Sequence, residues 1–168
     1  MNAAASLWSP VAVGTLTLRH RLIMAAMGTG FPTPEGAVTD RLIRYLARRA
    51  QGEIALVTTE ATAVDASGAP FPGVLRVDDD AQIPGLRRLV EAVHAHGAPI
   101  SLQIYHAGRQ MSRRVSGREP LAPSAIPCPL VRDVPRALEG GELPPLIERF
   151  AAAAGRARAA GFDAVEVH

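Results

Sequence analysis

Four short apolar runs alternate along this chain with three longer segments of helical periodicity, and this alternation constrains the fold more than any other feature. The runs are Leu22 to Met27, Ile54 to Val57, Pro99 to Ala107 and Phe162 to His168. Short apolar runs bounded by Gly or Pro are typical of buried strands. Since parallel neighbours need crossover connections, which are usually helices, the pattern predicts a parallel α/β arrangement.

The helical segments carry their own start and stop signals. In the first, Thr39 is placed as an N-cap, and Gly52 stands where a left-handed residue would end the helix. The second begins near Pro84 and is closed by Gly97, and the third covers Pro144 to Ala160. Apolar residues recur at helical spacing in each segment, which predicts one buried face per helix.

Two parallel architectures fit this order of elements, a doubly wound sheet and a (β/α)₈ barrel. A doubly wound dinucleotide-binding sheet carries a G-x-G-x-x-G turn after its first strand, and the sequence Gly-Thr-Gly-Phe from Gly28 does not match it. Active residues of barrels lie at the carboxyl ends of the strands. The polar residues of this chain collect at those ends, namely Thr29, Glu60, Gln103, His106, Glu166 and His168. The barrel is therefore favoured.

The chain is too short for a closed barrel. A (β/α)₈ barrel takes roughly 250 residues, whereas this sequence of 168 residues supplies only the first four strands and three helices. We therefore expect residues 1–168 to be the N-terminal half of a single TIM-barrel domain whose remainder is missing. The first and fourth strands would have unpaired edges, so a longer gene product, a second polypeptide or a second copy would have to complete the barrel.

Composition excludes several chemistries. All 18 Lys and Arg positions are arginine, which excludes a Schiff-base lysine and a phosphate-binding loop of the G-K-[ST] type. Cys128 is the sole cysteine, so we expect no disulfide framework, no metal site and a reducing, cytoplasmic setting. A net charge of +2 with 4% aromatic residues argues against nucleic-acid binding. No apolar run reaches the roughly 18 residues of a membrane span.

Three motifs follow one another along the chain. Gln-Ile-Tyr-His-Ala-Gly-Arg from Gln103 is followed by Ala-Pro-Ser from Ala122 and by Gly-Phe-Asp-Ala-Val-Glu-Val-His from Gly161. These motifs resemble the N-terminal half of the old yellow enzyme family of FMN-dependent ene-reductases, including its 2,4-dienoyl-CoA reductase branch. The resemblance implies an enzyme that uses FMN with NADH or NADPH as hydride donor. It also implies reduction of an activated alkene, of enoate, enone or dienoyl-CoA type, by hydride transfer from flavin N5.

The same resemblance implies five flavin contacts. Ala25, Ala26 and Met27 match the family segment whose backbone lies along the flavin, although ordinary core packing is an equally good reading of Met27. Ala61 matches another small residue near the ring. Gln103 matches a glutamine that contacts the pyrimidine edge of the flavin, where an amide offers both a donor and an acceptor.

The chain departs from the family pattern beside this segment. Many members have proline where this chain has Ala26, and one branch has a redox-modulating cysteine where Gly28 stands. Thiol tuning of the flavin is therefore excluded here. We expect Thr29 to replace that contact only weakly.

His168 is the catalytic residue that the resemblance implies. In the family a histidine at this strand end donates a hydrogen bond to the activating carbonyl of the alkene, which stabilises the enolate that develops as hydride arrives. The family's partner residue three positions later, its proton-donating tyrosine and its phosphate-binding loops would all lie beyond residue 168.

Other polar residues near the strand ends have open roles. His106 and Arg109 belong to the resembling motif, and they either join the site or brace the loop above it through hydrogen bonds to backbone carbonyls. We expect Tyr105, Glu60 and Glu166 to fill polar layers of the barrel interior.

Two alternatives to this enzyme hypothesis stay open. A truncated, non-catalytic half-barrel or assembly module that does not bind FMN alone fits the sequence, because the phosphate-binding loops are missing. Another barrel enzyme, one that binds a phosphorylated substrate, also fits the fold.

Overall fold

The central layer of the molecule is a parallel sheet flanked by helices, and the computed structural model describes it for residues 6–168. The four helices are α1 Asp40–Gln51, α2 Ile83–His94, α3 Arg113–Ser116 and α4 Leu143–Ala160. The first five strands are β1 Val11–Val13, β2 Leu16–Leu18, β3 Ile23–Met24, β4 Leu56–Thr58 and β5 Thr62–Ala63. The other five are β6 Leu75–Arg76, β7 Ile100–Tyr105, β8 Leu121–Ala122, β9 Arg136–Ala137 and β10 Ala164–Val167.

The main sheet has the strand order of half a (β/α)₈ barrel. β3 pairs with β4, β4 with β7, and β7 with β10, and every pairing is parallel. β5 also pairs with β7, opposite Ile104 and Tyr105, whereas β4 lies opposite Ile100 and Ser101. β4 and β5 are therefore successive parts of one barrel strand. This topology confirms the predicted half-barrel of four strands.

The interruption between β4 and β5 was not predicted from the apolar run. Where the ladder breaks, the backbone N–H of Gln103 donates to Thr59 Oγ1 at 3.2 Å. The hydroxyls of Thr59 and Thr62 both donate to the carbonyl of Glu60, at 3.1 and 2.9 Å. Threonine hydroxyls thus replace ladder bonds, and they fix the backbone of Glu60 at the strand end.

The main core lies between the sheet and the helices. Ile100, Leu102 and Ile104 of β7 and Val57 of β4 form its sheet side. The buried faces of the helices supply Leu42 and Leu46 from α1, Leu86, Leu89, Val90 and Val93 from α2, and Ala153, Ala157 and Ala160 from α4. The predicted helical faces are therefore the buried ones, because residues at this spacing lie along one side of a helix.

The helix ends follow the predicted signals with one exception. The Thr39 side chain accepts a hydrogen bond from Leu42 N at 3.3 Å, as an N-cap does. Gly97, with φ of +71°, adopts the left-handed backbone expected after α2. The left-handed role predicted for Gly52 is wrong: its φ is −79°, and Glu53 adopts φ of +62° instead. The chain therefore turns one residue later than the glycine suggests.

An N-terminal hairpin closes the amino ends of the barrel strands. β1 and β2 pair antiparallel through Gly14, whose φ of +59° suits the tight turn. Leu18 of the hairpin packs against Ala55 and Leu56 in a second small core. No strand was predicted here, because three-residue strands leave too short an alternation to recognise.

The last barrel strand leaves apolar side chains uncovered. Val165 and Val167 are 41% and 73% exposed although they alternate with interior-facing residues of β10. On α4, Ile147 is 66% exposed. These side chains lie where a further strand and helix of a closed barrel would pack. None of the helices within residues 6–168 has the length and apolar character needed to cross a membrane.

Candidate functional site

The pairing of β7 with β10 brings two predicted polar residues side by side. Gln103 lies opposite Glu166 in the register, and Gln103 Nε2 donates to Glu166 Oε1 at 2.5 Å. Successive side chains of a strand alternate between faces. Since Leu102 and Ile104 pack on the helix side, Gln103 faces the barrel interior.

His168 lies on the same interior face, one pleat nearer the carboxyl end. Its ring stacks on Tyr105 with centroids 5.8 Å apart and planes inclined by 14°. Its backbone N–H donates to Ile104 O at 2.9 Å, which extends the β7–β10 ladder to the last residue. Burial raises the pKa of Tyr105 to about 12, so this phenol is neutral beside the histidine. The structure thus brings Gln103 and His168 to one face.

The segment that follows β3 presents small side chains at the same end of the sheet. Exposure alternates from Ile23 to Met27, with Ala25 and Met27 exposed and Ala26 half-buried. Met27 is 58% exposed, so it is not part of the core that the half-barrel itself forms. Gly28 continues the segment, and a Cβ added to it would meet nothing within 4 Å. Open space therefore lies above these residues.

Thr29, which follows this segment, is bonded to a neighbouring strand end. Thr29 N and Thr29 Oγ1 both donate to Glu60 Oε2, at 2.6 and 2.5 Å. The hydroxyl also accepts from Phe31 N at 3.1 Å. The O–H of Thr29 is therefore directed to Glu60, and its weak replacement of the family's cysteine contact stays a prediction.

A cavity of about 400 Å³ lies between the loops after β3 and β4. Its lining is made of small and apolar residues with two ionisable ones: Gly28, Thr29, Gly30, Glu60, Ala61, Phe71, Gly73, Val74 and Tyr105. Ala61 is half-buried in this wall. Gln103 and His168 do not line the cavity, and they reach the same strand ends beyond Tyr105.

Burial raises the pKa of both ionisable groups that line this cavity, Glu60 and Tyr105. Glu60 is only 3% exposed, and burial raises its pKa although the side-chain and backbone hydrogen bonds from Thr29 lower it. Its Oε1 is buried and has no hydrogen-bond partner in the part of the chain that the structure describes. The side chains around it form a largely apolar slot at the position where barrel enzymes place their ligands.

A comparison with known protein families shows to which family the half-barrel belongs. The model of the NADH:flavin oxidoreductase / NADH oxidase family matches residues 6–168. The chain is a member of that family. The match covers every element of the half-barrel, from the N-terminal hairpin to β10.

Individual members of the NADH:flavin oxidoreductase family support the assignment. A metal reductase of Desulforamulus reducens is 44% identical over 161 residues, which are 96% of this chain and 24% of that relative. An NADH:fumarate oxidoreductase of Klebsiella pneumoniae is 42% identical over 153 residues, 90% of this chain and 16% of that relative. The structure of the old yellow enzyme homologue from Zymomonas mobilis matches with a TM-score of 0.91 and 34% identity.

The chain spans only part of these proteins. It covers less than a quarter of the two relatives' lengths, and 98% of it matches 48% of the Zymomonas mobilis structure. The resemblance to old yellow enzymes seen in the motifs is thus confirmed, and so is the half-barrel extent of the match.

The interior face fits the flavin that the family name implies. A flat ring needs small side chains along one surface, and Ala25, Ala61 and Gly28 provide them. It also needs a few polar partners at its edge, and the amide of Gln103 supplies both a donor and an acceptor. The buried, unpartnered oxygen of Glu60 adds one more polar atom beside the cavity. The donor set and the available space therefore suit an isoalloxazine.

The histidine of the central motif braces two loops. Nε2 of His106 lies 3.3 Å from Ser67 Oγ, and Gly108 N donates to its Nδ1 at 3.0 Å. Because Nδ1 accepts, Nε2 carries the proton and donates to Ser67, and burial lowers the pKa of the ring. The bracing role holds, although the partners are a hydroxyl and an N–H instead of the expected carbonyls. Arg109 does reach a carbonyl, that of Pro127 at 3.5 Å.

The run Asp78 to Asp80 has structural partners. Asp78 pairs with Arg76, Asp79 accepts from Ala81 N, and Asp80 pairs with Arg156 of α4 at 2.7 Å. Within residues 6–168, no cluster of three His, Cys, Asp or Glu side chains is arranged to hold a metal ion.

Proposed function

We propose that this chain forms half of the active site of an FMN-dependent NAD(P)H oxidoreductase that reduces activated alkenes, in the manner of an ene-reductase. The observation that carries the proposal is the shared interior face of Gln103 and His168, set by the β7–β10 register. A C-terminal half or a partner chain closes the barrel and supplies the phosphate-binding groups.

Different residues at the strand ends contact different parts of FMN. Ala25, Ala26 and Met27 flank one side of the ring, and Ala61 leaves room at the neighbouring strand end. Gln103 donates and accepts at the pyrimidine edge, with its orientation set by the bond to Glu166. Bound FMN supplies the hydride relay between reduced nicotinamide and substrate.

His168 acts on the substrate as a hydrogen-bond donor. Stacking on Tyr105 fixes the plane of the imidazole, and the ladder bond to Ile104 fixes its backbone. A ring held in this way donates to the carbonyl oxygen of the alkene, where negative charge grows during reduction. It is therefore the catalytic residue of this half of the site.

The substrate class follows from this donor and from one relative. An oxyanion-stabilising donor is useful only when the alkene is conjugated to a carbonyl or carboxyl group. The relative from Klebsiella pneumoniae is named for fumarate, an alkene that carries two carboxyl groups. The chemistry that fits this chain is an enoate, an enone or a dienoyl thioester.

The test uses the complete protein that contains this chain, purified with FMN. Flavin reduction by NADH or NADPH and flavin reoxidation by 2-cyclohexen-1-one are followed separately by stopped-flow absorbance at the flavin band. His168→Ala should slow reoxidation by roughly a hundredfold, the effect of losing one oxyanion donor. Exposed His96 on the surface, changed to alanine, is the matched control and should leave both steps unchanged.

Two results would contradict the proposal. Reoxidation that is equally fast in His168→Ala would remove the histidine from the chemistry. A complete protein that stays colourless after incubation with FMN would favour the alternative, a non-catalytic half-barrel, which the exposure of Val167 and Ile147 also favours for the chain alone.

A further inference from the structure

One buried carboxyl group at the strand ends has no part in the proposed chemistry. Glu60 projects from the interruption between β4 and β5, and one of its oxygens, Oε2, receives both the N–H and the O–H of Thr29. Two donors on a single oxygen hold the Thr29 residue by backbone and side chain at once. The two hydrogen bonds therefore fix the conformation of the loop at Thr29 as well as its position.

The carboxyl group stands on a rigid base. The Glu60 carbonyl accepts from the hydroxyls of Thr59 and Thr62, at 3.1 and 2.9 Å, and both threonines are buried. The two threonines thus fix the backbone of Glu60 from both sides along the chain, and this fixes the position of its Cα atom. A carboxyl group on a fixed backbone holds its hydrogen-bond partner, here Thr29, at a defined position relative to the sheet.

The hydrogen bonds continue from Thr29 to the first helix. Phe31 N donates to Thr29 Oγ1 at 3.1 Å, and Thr39 Oγ1 donates to Phe31 O at 2.7 Å. Thr39 also caps α1. One connected series of hydrogen bonds therefore joins the end of β4 to the start of α1 across the loop.

The two glycines beside Thr29 add no side-chain contacts to hold the segment there. Gly28 and Gly30 flank Thr29, and a Cβ added to either would meet nothing within 4 Å. Gly30 adopts φ of +63°, which glycine allows without strain. Flanking glycines place few steric limits on the backbone, so the hydrogen bonds of Thr29, two to Glu60 and one from Phe31 N, hold this stretch beside the cavity.

We propose that Glu60 is a positioning residue that fixes segment Gly28–Gly30 against the flavin ring through its two hydrogen bonds to Thr29. This inference rests on the proposed function, because the ring is what the segment is held against. Glu60 acts through Thr29, and the accepting oxygen is the part of the side chain that matters.

Few charged groups surround Glu60 in the cavity. No Arg or His lines the cavity, and its other ionisable residue, Tyr105, is a neutral phenol. Burial raises the pKa of Glu60. Both donors fall on Oε2, and Oε1 has no hydrogen-bond partner among the described residues. A glutamine amide keeps the accepting oxygen and is uncharged, so it should replace the acid.

The experiment compares four variants of the complete protein. Glu60→Gln keeps the acceptor, Glu60→Met keeps the length without it, Thr29→Val removes the hydroxyl donor, and Glu148→Gln on the exposed side of α4 is the matched control. The readouts are the dissociation constant for FMN, from quenching of its fluorescence by the apoprotein, and the visible spectrum of the bound flavin without substrate.

The expected FMN affinities distinguish the loss of the hydrogen-bond acceptor from the loss of the carboxylate charge. Glu60→Met and Thr29→Val should weaken FMN binding by roughly fivefold or more, about what one neutral hydrogen bond is worth, and should shift the flavin bands. Glu60→Gln and Glu148→Gln should stay within about twofold of the wild type. If Glu60→Met does not fold, Thr29→Val still tests the same interaction from its donor side.

Two outcomes overturn the inference. If Thr29→Val and Glu60→Met bind FMN with wild-type affinity and spectrum, the hydrogen bonds between Thr29 and Glu60 do not position the ring. If Glu60→Gln is as weak as Glu60→Met, negative charge is required instead of the acceptor. Absence of FMN binding by the wild type is a different result, since it contradicts the proposed function itself.

Discussion

At the residue scale, two loops above the strands approach each other closely at a glycine. Gly68 lies against the imidazole of His106, and a Cβ on Gly68 would lie 2.5 Å from His106 Cδ2. Ala107 N donates to Gly68 O at 3.0 Å, so the backbones are held together as well. The glycine is needed because any side chain would occupy the space of the ring.

Replacing Gly68 by alanine should therefore destabilise the protein. The His106 ring would have to leave its place between Ser67 and Gly108, and overpacking of this kind costs about 1–3 kcal/mol. The free energy of unfolding in urea measures the cost. Gly155→Ala on the open side of α4 is the control, and it should be neutral or stabilising, because nothing lies within 4 Å of its added Cβ.

The amide of Gln103 gives a second prediction at this scale. Gln103→Leu keeps the approximate volume of the side chain and removes its donor and acceptor. FMN binding to the complete protein should weaken roughly tenfold, the loss of about one to two hydrogen bonds. Gln51→Leu, on exposed surface at the end of α1, should not change FMN binding. Equal affinities for all three proteins would exclude Gln103 from the flavin contact.

At the element scale, α4 begins with an unusually polar junction. Arg136 donates to both carboxyl oxygens of Glu142, at 2.8 and 2.7 Å. Glu142 Oε2 also accepts from Glu139 N at 2.8 Å, completing a capping box with Glu139. The box caps the single 3₁₀ turn Gly140–Glu142 that leads into α4, and the two bonds from Arg136 tie β9 to that turn.

The pH dependence of this junction follows from the pKa of Glu142. The hydrogen bond from Arg136 lowers that pKa from 4.5 to about 2. Because the folded pKa lies below the unfolded one, Glu142 contributes stability that is complete above pH 4.5 and is lost as the pH falls toward 2. The difference in unfolding free energy between wild type and Glu142→Gln should shrink across this range. A difference that stays constant with pH would contradict the assignment.

The start of α1 provides a test of capping alone. Thr39 accepts from Leu42 N and donates to Phe31 O, so it serves both the helix and the loop before it. Thr39→Ala should cost about 1 kcal/mol of unfolding free energy. Thr39→Ser keeps the hydroxyl and should restore most of that loss, as measured in urea. Equal destabilisation by both changes would mean that the methyl group, and not the hydroxyl, stabilises this end.

At the scale of the whole molecule, the uncovered surfaces determine behaviour in solution. β3 and β10 are the outer members of the barrel order, and each is paired on one side within the described residues. Val167 and Ile147 present apolar surface beside the β10 edge. Unpaired edges next to apolar side chains favour association with other chains.

The 168-residue chain produced alone should therefore self-associate. Light scattering of the purified chain should report particles well above its 17.7 kDa mass. Co-production with the remaining strands of the complete protein should give a soluble one-to-one complex that binds FMN. A stable, colourless monomer at micromolar concentration would contradict the idea that the edges require a partner.

The fold was predictable in its periodic parts. Buried faces such as that of α2 and the alternation of β7 follow from the local spacing of apolar residues, and both were found where predicted. The β1–β2 hairpin and the break at Thr59 were missed, because a three-residue strand and a hydroxyl in a ladder leave no period to read. The left-handed turn at Glu53 was missed for a related reason, since the adjacent Gly52 is the residue that normally adopts it.

The sequence by itself determined that polar residues follow the strands of a parallel half-barrel, because strand ends are encoded by local apolar periodicity. It also placed Gln103 and His168 at those ends. Only the tertiary structure decided which of these residues touch: the β7–β10 register pairs Gln103 with Glu166, and the loop after β3 brings Thr29 to Glu60 across 31 positions of sequence. Register and loop closure depend on packing between distant segments, and the spacing of residues along the chain does not record that packing.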